Sequence, residues 1–290
     1  MSGFDDFAGT FKRSPKNNTV IVSELYCNFL KEGGEKSKKR DMKHLYPSGF
    51  GDCLRKLVFQ CYAKIDDRFD PHKPVDVKFM RIGDAGNAYH HRMQTSFSKM
   101  GILRGFWKCR RCGHTMGKDD KWGIFMPKEC SCQKAEDDKR EGIDLFEYVE
   151  IRVKSTSEYK VEGNIDGIIE LDKNDPDTRY IIDFKSIKSN KFSVLEKPEE
   201  KYIVQMQIYL WLTGIKKAIL FYEDKDAHGL KEFVIDYDEE MVAKIKSNAI
   251  KVGKIIEKGL LPAREKQYKK DCYACKYCDF NAICYKGVGK

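Results

Sequence analysis

The sequence lacks any long apolar run: nothing in its 290 residues approaches the roughly 18–20 consecutive apolar positions that a membrane-spanning helix needs. An integral membrane protein built of helices is therefore excluded. The opening stretch, MSGFDDFAGTFKRSPKNN, holds no apolar segment either, so a secretory signal is not expected. No internal repeat is present. Hydrophobic residues make up 41% of the chain and charged residues 34%, a balance that excludes a collagen-like or wholly disordered protein. What remains is a globular protein, expected in the cytoplasm.

Two features stand out against these absences. The net charge of +9 favours a polyanionic partner, although a lysine-rich surface gives the same balance. Of the 11 cysteines, four lie at 109, 112, 130 and 132, and four more at 272, 275, 278 and 284. In a reducing compartment, such tight Cys-x-x-Cys spacing reads as metal ligation rather than disulfide bonding.

Residues 1–47 are polar and carry Lys36, Lys38, Lys39 and Arg40 after a Gly33-Gly34 break, which suggests a basic N-terminal arm. A core is expected over 48–261, interrupted by an insert at 104–142, with a C-terminal cysteine region at 262–290. Helical spacing starts near Ser48 with Leu54, Leu57, Val58 and Cys61. A second helix over 79–100 is expected to bury a stripe of Phe79, Ile82, Tyr89, Met93 and Met100. Strands follow at 146–153, 164–171 and 180–185, then a helix at 198–213, strands at 218–222 and 232–236, and a helix at 239–259. This order predicts an α/β core with two metal-bearing appendages.

Asp183-Phe184-Lys185 is the candidate catalytic motif. Acid-x-Lys recurs elsewhere, for example at Asp76/Lys78 and Glu223/Lys225, so context must separate this copy. It closes an apolar strand, and period-two alternation puts Asp183 and Lys185 on one face with Phe184 on the other. A hairpin centred on the turn around Asn174 and Asp175 sets Asp166 roughly opposite Asp183. Two carboxylates brought together at the end of an apolar sheet repel each other, and a hard divalent ion such as Mg²⁺ or Mn²⁺ resolves the conflict. Lys185 would then position a water or stabilise charge on a phosphoryl group. A solvated hairpin end with acids paired to lysines is the plainer alternative.

Asp166 followed by Asp183-Phe184-Lys185 resembles the PD-(D/E)xK nuclease superfamily. Gln205-Met206-Gln207-Ile208-Tyr209 matches the Gln-x-x-x-Tyr motif of its RecB-like branch, and Gly86-Asn87-Ala88-Tyr89-His90 matches that branch's Gly-x-x-x-His helix. Cys53 far upstream of Cys275-x2-Cys278-x5-Cys284 is similar to the iron–sulfur members, such as the AddB nuclease domain and the CRISPR-associated exonuclease. The resemblance spans roughly 48–284 and implies a restriction-endonuclease-like core, a central mixed sheet flanked by helices. It further implies that His90, Asp166, Asp183 and the Phe184 carbonyl hold the metal, and that Gln205 and Tyr209 face the active site or the DNA backbone. Gly86 would let the helix approach the sheet closely. The sequence departs from the pattern at His91, where an acid is common, and in the insert, which lies outside the shared core.

The resemblance assigns Cys53, Cys275, Cys278 and Cys284 to a [4Fe–4S] cluster that closes the C-terminal region onto the core. By spacing alone, Cys272, Cys275, Cys278 and Cys284 form an alternative zinc site. The set Cys109, Cys112, Cys130 and Cys132 resembles a zinc ribbon, with His114 as a substitute ligand, and Arg110, Arg111, Trp107 and Trp122 offer charge and stacking surface to a nucleic acid.

The expected function is a metal-dependent DNA exonuclease preferring single-stranded ends, acting in recombination, repair or replication. A helicase or recombination protein is the expected partner, since the length leaves no room for a fused helicase. The alternatives are a structure-specific endonuclease, a CRISPR spacer-trimming nuclease, and a nucleic-acid-binding adaptor with a vestigial site.

Overall fold

The computed structural model describes residues 26–31, 44–51, 53–63, 66–69, 76–132, 141–173 and 175–286. The basic run at 36–40 and most of the charged stretch after Cys132 lie outside them. The chain divides into two units, residues 1–38 with 74–81, and residues 39–73 with 82–290. Of the first unit, the described parts are a helical segment at 26–31 and residues 76–81, where a long helix begins. Apart from the first turn of that helix, everything below concerns the second unit.

Its centre is a mixed sheet. Strands β1 (Leu103–Cys109), β2 (Thr115–Met116), β3 (Ile124–Phe125) and β4 (Phe146–Val149) form one side. A separate two-stranded ladder pairs β5 (Ile151–Lys154) with β6 (Glu162–Ile165). Strands β7 (Gly167–Glu170), β8 (Arg179–Ile187), β9 (Lys217–Asp224) and β10 (Leu230–Asp236) complete the main sheet, in the order β10-β9-β8-β7-β1-β2, with β3 and β4 also on β1. Only β8 and β9 run parallel among these pairs. A parallel pair requires a crossover, and the helix Glu200–Thr213 supplies it.

The main helices are α1 (Leu54–Tyr62), α2 (Val77–Lys99), α3 (Glu200–Thr213) and α4 (Glu239–Glu257). Central β8 is covered on both faces, so apolar residues pointing either way are buried: Ile181, Ile182 and Phe184, with Asp183 between them. Tyr89 and Phe97 of α2 pack on Phe184, while Met206, Tyr209 and Leu210 of α3 join Ile181 and Leu220 on the other face. Gly214 ends α3 at φ +81°, a left-handed conformation that glycine adopts without strain. No helix among the described residues is long and apolar enough to cross a membrane.

The expected α/β core with a central mixed sheet flanked by helices is therefore present. Four details differ. Leu45 is buried and bridges Val161, so the body starts before residue 48. The helix expected from Ser48 is two pieces, Pro47–Phe50 and α1, with Cys53 at the break. The α2 stripe is shorter than its spacing suggests: Tyr89 and Met93 pack inward, but Phe79, Ile82 and Met100 are exposed, and Gln94 and Ser98 are buried instead. Finally, the strands read as 146–153 and 164–171 each break in two, at Glu150 and at Asp166.

Candidate active site and cysteine clusters

Those two breaks carry the site. The β7–β8 register pairs Gly167 with Ile182, so one step further sets Asp166 against Asp183, as the hairpin symmetry predicts. The β5–β6 register pairs Ile151 with Ile165, and one step beyond that sets Glu150 against Asp166. Three carboxylates thus meet at the junction of two antiparallel ladders.

Asp166 is held from three sides. Its Oδ2 accepts from the Phe184 N–H at 2.9 Å and lies 3.3 Å from His90 Nδ1, and its backbone carbonyl accepts from Gln94 Nε2 at 2.9 Å. The same Gln94 amide donates to Glu150 Oε1 at 3.3 Å, so one helical side chain orients two acids. Asp183 is 2% exposed; its Oδ2 is 2.5 Å from Lys185 Nζ and its Oδ1 accepts from Gln205 Nε2 at 3.2 Å. Gln205 Nε2 also lies 3.5 Å from Tyr209 Oη. Lys185 Nζ sits 4.6 Å over the Tyr202 ring.

The electrostatics follow from crowded acid in a dry place. Burial and then the Asp166 charge push the Asp183 carboxyl up to about 6, against the pull of Lys185. Burial and Asp166 also raise Glu150. Burial opposes charging His90 and Lys185, yet the neighbouring carboxylates outweigh it and raise both. Three acids facing one ammonium and one imidazole leave an excess of negative charge, which is the donor chemistry a hard divalent cation fits.

The ligand atoms of His90, Glu150 and Asp166 all lie within 4.8 Å of one another. Glu150 is the residue that sequence reasoning missed. Its signal was an acid inside the apolar run 146–153, legible only once the β5–β6 pairing is known. Asp183 falls outside that compass, engaged by Lys185 and Gln205, and Phe184 presents its N–H to Asp166. His91 is exposed. Gln205 and Tyr209 are largely buried but both line the cleft beside the acids, Gln205 bonded to Asp183 and Tyr209 next to Gln205. Gly86 does not serve close approach, because an added Cβ would meet nothing within 4 Å. A cleft of about 480 Å³ opens beside the acids, with Ser48, Glu150, Arg152, Asn164 and Tyr209 in its wall.

The cysteines form two different arrangements. Cys109 Sγ lies 3.6 Å from Cys132 Sγ and Cys112 Sγ 3.7 Å from Cys130 Sγ, with all four within 4.8 Å of one another. Burial would raise the Cys109 thiol, but backbone N–H groups of Cys112 and Arg111 and nearby thiols pull it down to about 7. His114 is exposed and outside this group. Trp107 is fully buried, its Nε1 donating to the Ile124 carbonyl at 3.0 Å, so it offers no stacking surface; Trp122 is half-buried beneath Arg179 and Lys121.

Cys53, Cys275, Cys278 and Cys284 line one cavity of about 260 Å³. Cys272 does not line it, although its thiol reaches Cys275. No three of these five bring their sulfurs as close together as the first set does. A single tetrahedral ion needs sulfurs about 3.8 Å apart, from metal–sulfur bonds near 2.3 Å, whereas a cluster with an iron under each thiolate spreads them. The wider set therefore fits a polynuclear group, and the tight set a single ion.

The sequence profile of the PD-(D/E)XK nuclease superfamily matches residues 48–285, and the chain belongs to that superfamily. Among curated proteins, it is 29% identical over 126 residues to the CRISPR-associated exonuclease Cas4 of Saccharolobus solfataricus, a match covering 43% of this chain. That match takes in 52% of the relative, so the chain spans about half its length. Among solved structures, SSO0001 aligns over 93% of this chain and 98% of its own at 15% identity and a TM-score of 0.46. The alkaline exonuclease LHK-Exo of Laribacter hongkongensis aligns over 38% and 57% at 18% identity and a TM-score of 0.32.

Proposed function

We propose that this protein is a divalent-metal-dependent deoxyribonuclease that degrades DNA from ends, with a preference for single strands. The observation that carries this reading is the convergence of His90, Glu150, Asp166 and Asp183 beside Lys185, in a member of a nuclease superfamily. His90, Glu150 and Asp166 would hold Mg²⁺ or Mn²⁺, with Asp183 beside them. Such an ion supplies Lewis acidity toward a phosphodiester and lowers the pKa of a bound water.

The protein's own groups do the rest. The Phe184 N–H and Gln94 hold Asp166, Gln94 also holds Glu150, and Gln205 fixes the Asp183 carboxylate. Lys185, kept charged by Asp183 and Asp166, stands where its ammonium can face an attacking water or a phosphoryl oxygen. The +9 balance supports phosphate tracking by the surface. The intact acids and lysine speak against a vestigial adaptor.

The reading extends to the cofactor: Cys53, Cys275, Cys278 and Cys284 would hold a [4Fe–4S] cluster. Their shared cavity and wide sulfur spacing support this over zinc.

Digestion of end-labelled linear and closed circular single strands with Mn²⁺, using 5′-blocked and 3′-blocked versions, tests the activity. Linear strands are expected to be shortened progressively while circles survive. Cut circles would favour the endonuclease, and no cleavage of any substrate would favour the adaptor. The likeness to the CRISPR-associated exonuclease motivates the same assay on spacer-precursor ends with candidate partner proteins.

A further inference from the structure

Strand β1 links two places that the nuclease reading leaves separate. Its first residues, Leu103 and Arg104, pair with Ile169 and Ile168 of β7, the strand after Asp166. Its last, Cys109, is one of the four closely spaced thiols. Between them β1 carries β4 in full register: Phe106 with Val149, Trp107 with Tyr148, Lys108 with Glu147 and Cys109 with Phe146. The ladder continues past the cysteine, where the Arg110 N–H donates to the Leu145 carbonyl at 2.8 Å. The residue after β4 is Glu150.

The thiol end of this arrangement is preformed. The Cys109 N–H donates to the His114 carbonyl at 2.8 Å and the Gly113 N–H to the Cys109 carbonyl at 2.9 Å, with Gly113 at φ +75°. That turn aims the Arg111 and Cys112 N–H groups at the Cys109 sulfur. Separations of 3.6 and 3.7 Å match the edge of a sulfur tetrahedron around one ion, about 3.8 Å for metal–sulfur bonds near 2.3 Å. Zn²⁺ is the divalent ion that such a four-thiolate site suits, with no coordination position left open.

The apolar support around it is small. Trp107, Cys109, Cys130, Leu145 and Phe146 are the buried members of its core. A core of that size does not hold an insert together without a staple. We propose that Cys109, Cys112, Cys130 and Cys132 bind one Zn²⁺, and that this ion keeps β4 paired to β1 and so delivers Glu150 to the active site. The second half rests on the nuclease reading above. Glu150 is then placed by the metal-stapled insert on one side and by the β5–β6 ladder on the other, with Gln94 and Asn164 as side-chain tethers.

The test uses the full chain, purified without oxygen, and two readouts that need no DNA: zinc per chain by elemental analysis, and Mn²⁺ affinity by titration of the free-ion paramagnetic signal. Wild type is expected to hold one zinc and to bind Mn²⁺. Cys112→Ser should lose the zinc and weaken Mn²⁺ about 10–100-fold, the range for losing a group that orients metal ligands. Cys112→His, which keeps a zinc ligand, should restore both. Glu150→Gln should weaken Mn²⁺ in the wild type and add little in Cys112→Ser.

Wild type without zinc overturns the site. Cys112→Ser with full Mn²⁺ affinity overturns the coupling alone, while wild type that binds zinc but no Mn²⁺ overturns the nuclease reading and the coupling together. If Cys112→Ser does not melt cooperatively, wild type stripped by a chelator and returned to Mn²⁺ alone replaces it, with the same weakening expected and unchanged affinity counting against the coupling.

Discussion

At Asp183, burial and the nearby Asp166 raise the carboxyl from 3.8 to about 6, so folding favours its protonated form. The sign follows by linkage: the metal-free fold loses stability as pH climbs from 3.8 toward about 6, because the unfolded chain releases that proton first. Asp183→Asn should therefore raise the melting temperature of the metal-free protein at pH 7–8, by the equivalent of about 1–3 kcal/mol, while abolishing cleavage. Melting curves from pH 4 to 8 check this, with the gap between variant and wild type closing at the acid end. Lys185→Ala should leave DNA affinity nearly unchanged and slow cleavage on the order of a hundredfold or more. Single-turnover digestion beside fluorescence anisotropy reads both, and an undiminished rate rejects the role proposed for the ammonium.

Among the elements, the hairpin of β5 and β6 is fitted tightly to its neighbours. A Cβ on Gly163 would come within 2.9 Å of both Pro47 and the Tyr209 ring. Gly163→Ala should cost about 1–3 kcal/mol in urea unfolding, since neither neighbour has a flexible end to give way. Gly86 has open space around it inside a helix, so Gly86→Ala should instead stabilise by about 0.5–1 kcal/mol. The elements were legible to different degrees. The β7–β8 hairpin could be read because its turn cluster and apolar strands set the register locally. The breaks at Glu150 and Asp166 could not, because each marks where one continuous run crosses between the main sheet and the β5–β6 ladder, leaving the sheet at Glu150 and returning to it at Asp166. The stripe assigned to α2 overran for a similar reason: spacing tells which residues share a face, not how far along the helix a neighbour extends.

Over the whole molecule, the C-terminal region is clasped to α1. The Leu54 N–H donates to Glu265 at 3.0 Å, the Arg55 guanidinium to the Pro262 carbonyl, and Phe59 stacks on Phe280 at 5.5 Å. A cluster on Cys53, Cys275, Cys278 and Cys284 would tie together residues separated by most of the chain, where a cross-link constrains the unfolded state most. Cys53→Ser is expected to bleach the brown colour of anaerobically purified protein and lower its melting temperature; a colourless wild type holding only zinc rejects the cluster.

The amino-acid order alone determined the family motifs, the strand that ends in Asp183 and Lys185, and the spacing of both cysteine sets. These features depend on near neighbours in the chain and on alternation along a strand. Tertiary structure decided that Glu150 joins His90 and Asp166, that Gln94 ties two of the acids, that Trp107 is core rather than surface, and that one cysteine set is tight while the other is spread. Each of these depends on the distance between residues far apart in sequence, which strand pairing and packing set.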